Sequence, residues 1–355
     1  MNTTTPISSA IVGLSPISSA PAGLATSPLL GTAMARSHAA SLARIPQVTD
    51  MSACDLSSEA RDSFADNWSS RWPDLTLFND FDRMLEEQKP DFLVIAIPDT
   101  LHEMGLMKAL EHNVPMIMLE KPMAVDVPSA ERILAAVEAS NSTVSVNVTR
   151  RWYPTYVAAQ QEIEAGTIGD LRHVKVHFSG ARSMLWRNLT HMLDLLTHFA
   201  KSDPVSAYAE LEPGMEDYGT AYRGDGGRSP EMEPGMEAMF GWANGVRGHI
   251  YGMKDSWPVI HLELTGTTGR IVVNDTLATV IYASESGVVS RPLAPTFTVQ
   301  GIEAVHRDII TSHVSGTQPE GNLREAIKSV RMIDGALRSQ AEGNRRVHIP
   351  LPGTS

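Results

Sequence analysis

Residues 90–123 read PDFLVIAIPDTLHEMGLMKALEHNVPMIMLEKPM, and this stretch decides the fold. Phe92–Ile97 is an uninterrupted apolar run stopped by Pro98. A run without polar alternation suits a parallel strand covered on both faces. Leu101–His112 then predicts a helix, and Met116–Leu119 a second strand. A strand, a helix and a strand joined by short links belong to a parallel sheet.

The same alternation extends to either side. Pro6–Leu14 predicts a short buried strand ending at Gly13, and the Pro-, Ser-, Ala- and Gly-rich segment after it, to about Arg36, reads as a loop. Ser37–Arg44 predicts a short helix and Val48–Asp55 a strand ending in a carboxylate. Helical spacing follows in Ser57–Trp68, and Asn79 is placed to cap a helix whose apolar positions are Phe81, Met84 and Leu85. Ser129–Ala139 predicts a helix and Val144–Val148 a strand. The expectation is a doubly wound α/β domain over residues 1–124, with an irregular loop at 15–36.

The second half changes character. A helix at Tyr153–Ala165 closes at Gly166, Val174–Phe178 alternates as a strand, and a helix spans about His191–Ala200. Six β-rich segments follow from Ser206 to Ala283. Asn244-Gly245 and Thr268-Gly269 separate several of them as hairpin turns do. Helices are expected at Ile302–His313 and Asn322–Gln340. Residues 125–355 thus predict an α+β domain with a large, mostly antiparallel open sheet.

At 355 residues the chain exceeds the roughly 250–300 beyond which one core usually splits, in keeping with two domains. The formal charge of −12 and the absence of a long basic run argue against a nucleic-acid partner. The single cysteine, Cys54, excludes an intramolecular disulfide and a cysteine-rich zinc site. No apolar stretch reaches the roughly 18–20 residues of a membrane span. Residues 1–49 lack Asp and Glu and carry Arg36 and Arg44, a composition that can mark a transit peptide. Because the segment also holds the first strand, a cytoplasmic protein is the expectation.

Two features bear on a dinucleotide. Such a fold wants Gly-x-Gly-x-x-Gly after its first strand, so that backbone approaches the pyrophosphate near a helix N-terminus. In Gly13-Leu14-Ser15 only Gly13 stands where expected; Gly23 and Gly31 come much later. Taken alone, this stretch reads better as an ordinary loop. Asp55 follows the second strand, where a carboxylate accepts ribose hydroxyls or caps the Ser57–Trp68 helix; both readings stand.

With Pro98–His102 as a Pro-x-x-x-His turn and Glu120-Lys121-Pro122 after the next strand, the sequence resembles the Gfo/Idh/MocA family of NAD(P)-dependent oxidoreductases. Arg151-Trp152-Tyr153-Pro154, Gly166–Gly169, His191–Leu196 and the closing Val347–Leu351 strand match the family's pattern in order. The resemblance implies NAD, or NADP, held by Gly13, Ser15, Asp55, Pro98, His102, Glu120 and Lys121. It implies substrate binding between the domains by Arg151, Trp152, Arg187 and His191. Lys121 would relay a proton or polarise the reacting hydroxyl, its proton affinity lowered beside a positive nicotinamide, and His191 would take the hydroxyl proton. The implied activity is hydride transfer with a secondary alcohol or ketone of a sugar, inositol or related polyol. The implied assembly is a homodimer or homotetramer through the C-terminal sheet.

One position departs from the pattern. Many family members carry Asp four residues before the histidine; here that residue is Arg187. A guanidinium reverses the local charge and suits a carboxylate or phosphate. An enzyme for an anionic substrate is the favoured reading. The alternatives are a non-catalytic NAD(P)- or sugar-binding regulator and a lyase or glycosidase using transient oxidation. No metal is expected: His191 and His198 lie seven apart, too far for a chelating i, i+4 pair. His173 and His177 read as solvent-facing strand residues, Met232–Met239 as packing material, and Glu210–Asp225 as a mobile loop.

Overall fold

The computed structural model describes residues 5–21, 25–26, 33–294 and 299–351. The chain groups into two compact units: Met1–Ala124 with Pro128–Thr149 and Val299–Ala326, and Val125–Val127 with Arg150–Thr298 and Ile327–Ser355. The expected boundary at 124/125 therefore does not hold as a single cut. Thr143–Val146 is the last strand of the first unit's sheet, and the Gly301–Ser315 helix packs on that strand, on Met116–Leu119 and on the His38–Leu42 helix. A segment that returns after some 150 residues leaves no local signal in the sequence.

The first unit carries a six-stranded, wholly parallel sheet. Its order is Thr76–Phe78, Val48–Cys54, Ile7–Val12, Phe92–Ile95, Met116–Leu119, Thr143–Val146. In chain order this is 3-2-1-4-5-6, the arrangement of a doubly wound dinucleotide fold. Phe92–Ile95 and Met116–Leu119 are buried at every position, as an apolar run covered on both faces must be. The short Thr76–Phe78 strand is not legible as a strand, being three residues with one buried.

Two helix starts differ from the reading. Asp80, not Asn79, caps the Phe81–Gln88 helix, accepting the Arg83 amide. Ser57, not Asp55, caps Ser58–Trp68, accepting the Ala60 amide. In the 15–36 loop the described residues form one helical turn, Pro16–Ser19, and a two-residue pairing of Ala25–Thr26 with Ala33–Met34; Gly23 and Gly31 lie outside the described residues. Ser37 then caps the His38–Leu42 helix, all five of whose residues are buried.

The second unit carries a nine-stranded sheet around Leu171–Ser179, which pairs parallel with Arg247–Met253 and antiparallel with Val259–Gly266. Its remaining pairings are antiparallel. Asn244-Gly245 turns one hairpin as expected; the second turn falls at Thr267-Thr268, one residue before the expected Thr268-Gly269, because Gly269 already pairs with Tyr282. The Gly287–Pro292 edge strand escaped that reading because its residues are mostly exposed and its sequence, GVVSRP, does not alternate apolar with polar residues. The Leu189–Ala200 helix, nearly all buried, covers one face at Leu171–Ser179 and Arg247–Met253. Among the described residues no helix is long and apolar enough to cross a membrane.

Candidate active site

In a doubly wound sheet ligands bind where the strand order reverses, at the carboxyl ends of the strands. Here that point lies between Ile7–Val12 and Phe92–Ile95. Gly13 leaves the first strand with φ +87°, and a Cβ there would stand 2.5 Å from the Ala96 carbonyl oxygen. Glycine is thus required by the approach of two protein backbones. The Gly13 amide donates to the Cys54 carbonyl at 2.9 Å. Ser15 is exposed and begins the helical turn without a side-chain cap.

Asp55 fastens this corner. Its Oδ2 accepts the Leu14 amide at 2.7 Å and its Oδ1 the Ser57 amide at 2.9 Å. The carboxylate therefore joins the end of the second strand to the loop after the first. Each oxygen keeps a lone pair, so the donor set left to a ligand is hydroxyl rather than phosphate. The neighbouring Cys54 thiol is pushed up to about 11 by burial, with Asp55 and Asp80 adding to the effect, and is not a nucleophile.

Lys121 is held from both sides. Glu120, 8% exposed, accepts the Lys121 amide on Oε2 at 3.1 Å. On its other side, the Pro122 carbonyl accepts a hydrogen bond from His102 Nδ1 at 2.7 Å, while His102 Nε2 lies 3.1 Å from the Ile97 carbonyl. The Lys121–Pro122 peptide is cis. His102 was expected to touch a cofactor; at 1% exposure, with both ring nitrogens on carbonyls, it is a clasp between the strand end and Pro122. Pro98 opens the turn that delivers it.

Glu120 was likewise read as a cofactor contact, and its carboxylate is instead spent inside the protein. Oε1 meets His38 Nε2 at 2.9 Å and Asn147 Nδ2 at 2.6 Å. Burial pushes this carboxyl up, but the His38 hydrogen bond and charge, then Lys121 and Asn147, outweigh it and hold it well below the usual range. His38 and Asn147 were missed by the sequence reading: neither lies in a recognisable spacing with Glu120.

In the second unit, His191 stands in the first turn of Leu189–Ala200, 9% exposed. One turn on, Asp194 receives the Arg151 guanidinium through two parallel bonds, Nε to Oδ2 at 2.8 Å and Nη2 to Oδ1 at 2.7 Å. Arg151, expected to bind substrate, has its side chain 4% exposed and is paired to the His191 helix through Asp194. Trp152 follows it, its indole N–H buried with no hydrogen-bond partner among the described residues. Asp194 lay within the His-x-x-Asp pattern, and its spacing of three from His191 was the available signal.

Arg187 is half-buried and donates to the Gly226 carbonyl at 3.3 Å; Arg182 donates to the adjacent Gly227 carbonyl at 3.3 Å. Two guanidiniums thus share one turn. Burial and then the Arg187 charge hold Arg182 below its ordinary value, with Glu233 opposing. Glu233 is fully buried and accepts the Trp186 amide at 2.9 Å. The Glu210–Asp225 region is tied down rather than loose: the Glu212 amide donates to Gly235, Glu212 Oε2 accepts from Gly235 and pairs with Lys254, and Tyr218 and Tyr222 accept the Arg223 and Gly226 amides. No group of three or more His, Cys, Asp or Glu among the described residues is arranged to hold a metal.

A 3-2-1-4-5-6 parallel sheet, a carboxylate after its second strand and a lysine clasped after its fifth define a dinucleotide-binding α/β protein with an appended sheet. Residues 29–148 match the family model described as oxidoreductase family, NAD-binding Rossmann fold, and residues 156–272 match the GFO/IDH/MocA C-terminal domain. The chain belongs to the GFO/IDH/MocA oxidoreductase family. Among its relatives, the inositol 2-dehydrogenase of Renibacterium salmoninarum is 40% identical over 80 residues, 22% of this chain and 24% of that protein. The matches to the first curated relatives span 24% to 34% of those proteins' own lengths. A levoglucosan dehydrogenase solved with NADH superposes with a TM-score of 0.77 at 16% identity, over 98% of this chain and 100% of that one. An Agrobacterium radiobacter oxidoreductase in complex with NAD+, L-tartaric acid and magnesium gives 0.75 at 15%, over 97% and 99%.

Proposed function

We propose that this protein oxidises a secondary alcohol of a sugar, inositol or related polyol, or reduces the matching ketone, with NAD as the hydride carrier. The observation that carries the reading is the double clasp on Lys121, made by Glu120 on its amide and by His102 on the next carbonyl. A lysine needs no such mount to be a solvated surface residue. A group that must meet a reacting hydroxyl within a few tenths of an ångström does.

Asp55 would accept the adenosine ribose hydroxyls, and its charge would disfavour a 2′-phosphate, which favours NAD over NADP. Gly13, Ser15 and Pro98 would line the diphosphate side of the same strand ends. NAD, when bound, would supply the hydride acceptor for the alcohol carbon. The protein's part is proton handling and alignment. The Lys121 ammonium polarises the hydroxyl oxygen, and the His191 imidazole takes its proton as the carbonyl forms. Arg151 and Asp194 keep the His191 helix in register. Trp152 offers its indole N–H.

Arg187, with Arg182 on the same turn, would meet an anionic group of the substrate, a carboxylate above all. Glu233, which accepts the Trp186 amide next to Arg187, supplies a buried carboxylate, so the reversal of charge at 187 does not strip the region of carboxylates. The reading includes a cytoplasmic setting and assembly of copies through the face of the nine-stranded sheet that bears His173, His177, His249 and Tyr251. Sedimentation equilibrium of the purified chain tests the assembly.

The deciding experiment is a panel of inositols, neutral sugars and sugar acids, assayed for NADH and NADPH formation alongside calorimetry of NAD(H) binding. Turnover with NAD and a lower KM for acids than for their neutral counterparts is expected. Absence of NAD(H) and NADP(H) binding would overturn the enzyme reading; a preference for neutral sugars would overturn the role given to Arg187.

A further inference from the structure

Behind Glu120 runs a chain of buried polar side chains that the reaction does not account for. Ser41 Oγ lies 2.7 Å from His306 Nδ1, His306 Nε2 lies 3.2 Å from His38 Nδ1, and His38 Nε2 lies 2.9 Å from Glu120 Oε1. Ser41, His38 and His306 are all 0% exposed. They come from two segments 265 or more residues apart, the His38–Leu42 helix and the returning Gly301–Ser315 helix. Phe92 sets its ring edge against His306 at 5.3 Å. Burying two imidazoles and a hydroxyl is costly unless every nitrogen finds a partner, and here each one does.

The bonding pattern has a direction at its end. Glu120 Oε1 is an acceptor, so His38 presents Nε2–H to it whether the ring carries one proton or two. The other nitrogen of His38 then faces His306, which burial and the His38 charge keep neutral, with Glu120 opposing. His306 can answer as donor or acceptor because Ser41 at its far side can do either. The Glu120 carboxylate therefore sets which nitrogen of His38 carries the proton, and the His306 link holds the ring where it delivers that N–H. Glu120 in turn spends Oε2 on the Lys121 amide.

We propose that Ser41, His306 and His38 are positioning residues for Lys121, a buried hydrogen-bond chain that fixes the Glu120 carboxylate against the Lys121 main chain. It rests on the role given above to Lys121. Three convergent donors, from His38, Asn147 and the Lys121 amide, leave that carboxylate one arrangement. Remove His38 and Glu120 is free to rotate or to take a proton, and the Lys121 amide loses a fixed acceptor.

The chain is tested first without substrate, by amide hydrogen exchange on isotopically labelled protein. In His38→Leu the Lys121 amide should exchange faster by about tenfold, the effect of one net hydrogen bond, while Ile117, Met118 and Leu119 keep their protection. His38→Gln, whose side-chain amide can donate to Glu120, should restore most of it. Ser41→Ala, a milder change, should move Lys121 in the same direction by about twofold. Unchanged Lys121 exchange in these variants, or a rise shared equally by the strand amides, overturns the proposal. The second arm uses myo-inositol and NAD. His38→Leu should lower kcat by about tenfold or more with KM and NAD affinity within about twofold, and adding it to Glu120→Gln should cost nothing further. Additive losses overturn the proposal. A wild-type protein that turns over no member of the inositol, sugar and sugar-acid panel sinks the functional reading instead, while the exchange result still decides the chain.

Discussion

Arg151 and Asp194 form a bidentate, buried ion pair at 2.8 and 2.7 Å, one helical turn beyond His191. Removing one partner from such a pair strands the other charge and costs about 3–5 kcal/mol. Asp194→Ala and Arg151→Ala should each lower the urea midpoint strongly. Arg151→Lys, which keeps the charge but loses the fork, should recover only part of the loss. Because the pair steers the His191 helix, kcat should fall even where Arg151→Lys remains folded.

Lys121→Ala is expected to cut kcat by on the order of 100- to 10,000-fold, the usual worth of a positioned proton-transfer group. NAD affinity by calorimetry should change little. A loss seen mainly in cofactor binding, with kcat intact, would move Lys121 from proton handling to cofactor binding.

Gly13→Ala places a methyl 2.5 Å from the Ala96 carbonyl in backbone at φ +87°. The left-handed backbone alone costs about 1–3 kcal/mol in such a setting, and the contact adds to it. The variant should melt at lower temperature and bind NAD(H) more weakly. Unchanged melting would show that the strand ends can separate without penalty.

Acid should weaken the fold before the carboxylates titrate. Burial holds His306 well below 6.5 and lowers His102, against the pull of the Pro122 carbonyl; burial, then Arg151 and Lys201, push His198 down to about 3. Below pH 6.5 the unfolded chain takes up protons that these folded imidazoles refuse. Their neutral burial therefore costs nothing above that pH and weakens the fold increasingly as pH falls. Denaturant midpoints should drop between about pH 7 and 5. His198→Gln should make that decline shallower, and an unaltered slope would count against the burial of His198 as its source.

Glu120 adds a later step with the same sign. Its carboxyl lies below its ordinary 4.5 because, against burial, His38 and Lys121 favour the anion. Its contribution is complete above that value and is lost as pH falls beneath it. Glu120→Gln should be less stable than wild type at pH 6, and the difference should begin to narrow only as pH falls below 4.5, checked by urea titrations on either side of that value.

Local pattern carried most of the architecture. The run Phe92–Ile97, the pair Asn244-Gly245 and the spacing of Leu189–Ala200 are legible because burial on both faces, a tight turn and a helical stripe each leave a signature within a few residues. Asp55 could be singled out because it follows directly on a strand, and Lys121 and His191 because the resemblance to a known family marks them. The sequence by itself determined most of the strands and helices, the short Thr76–Phe78 and exposed Gly287–Pro292 strands apart. Only the tertiary structure decided which of those groups are bonded to one another within the protein. The polar atoms of His102, Glu120 and Arg151 found partners inside the protein, and His38, His306 and Asn147 joined them because strands and a returning helix bring His38 and Asn147, and His306 behind His38, to one carboxylate. The reason is physical: hydrogen-bond partners of a buried side chain are set by packing between segments far apart in the chain, and no local spacing encodes them.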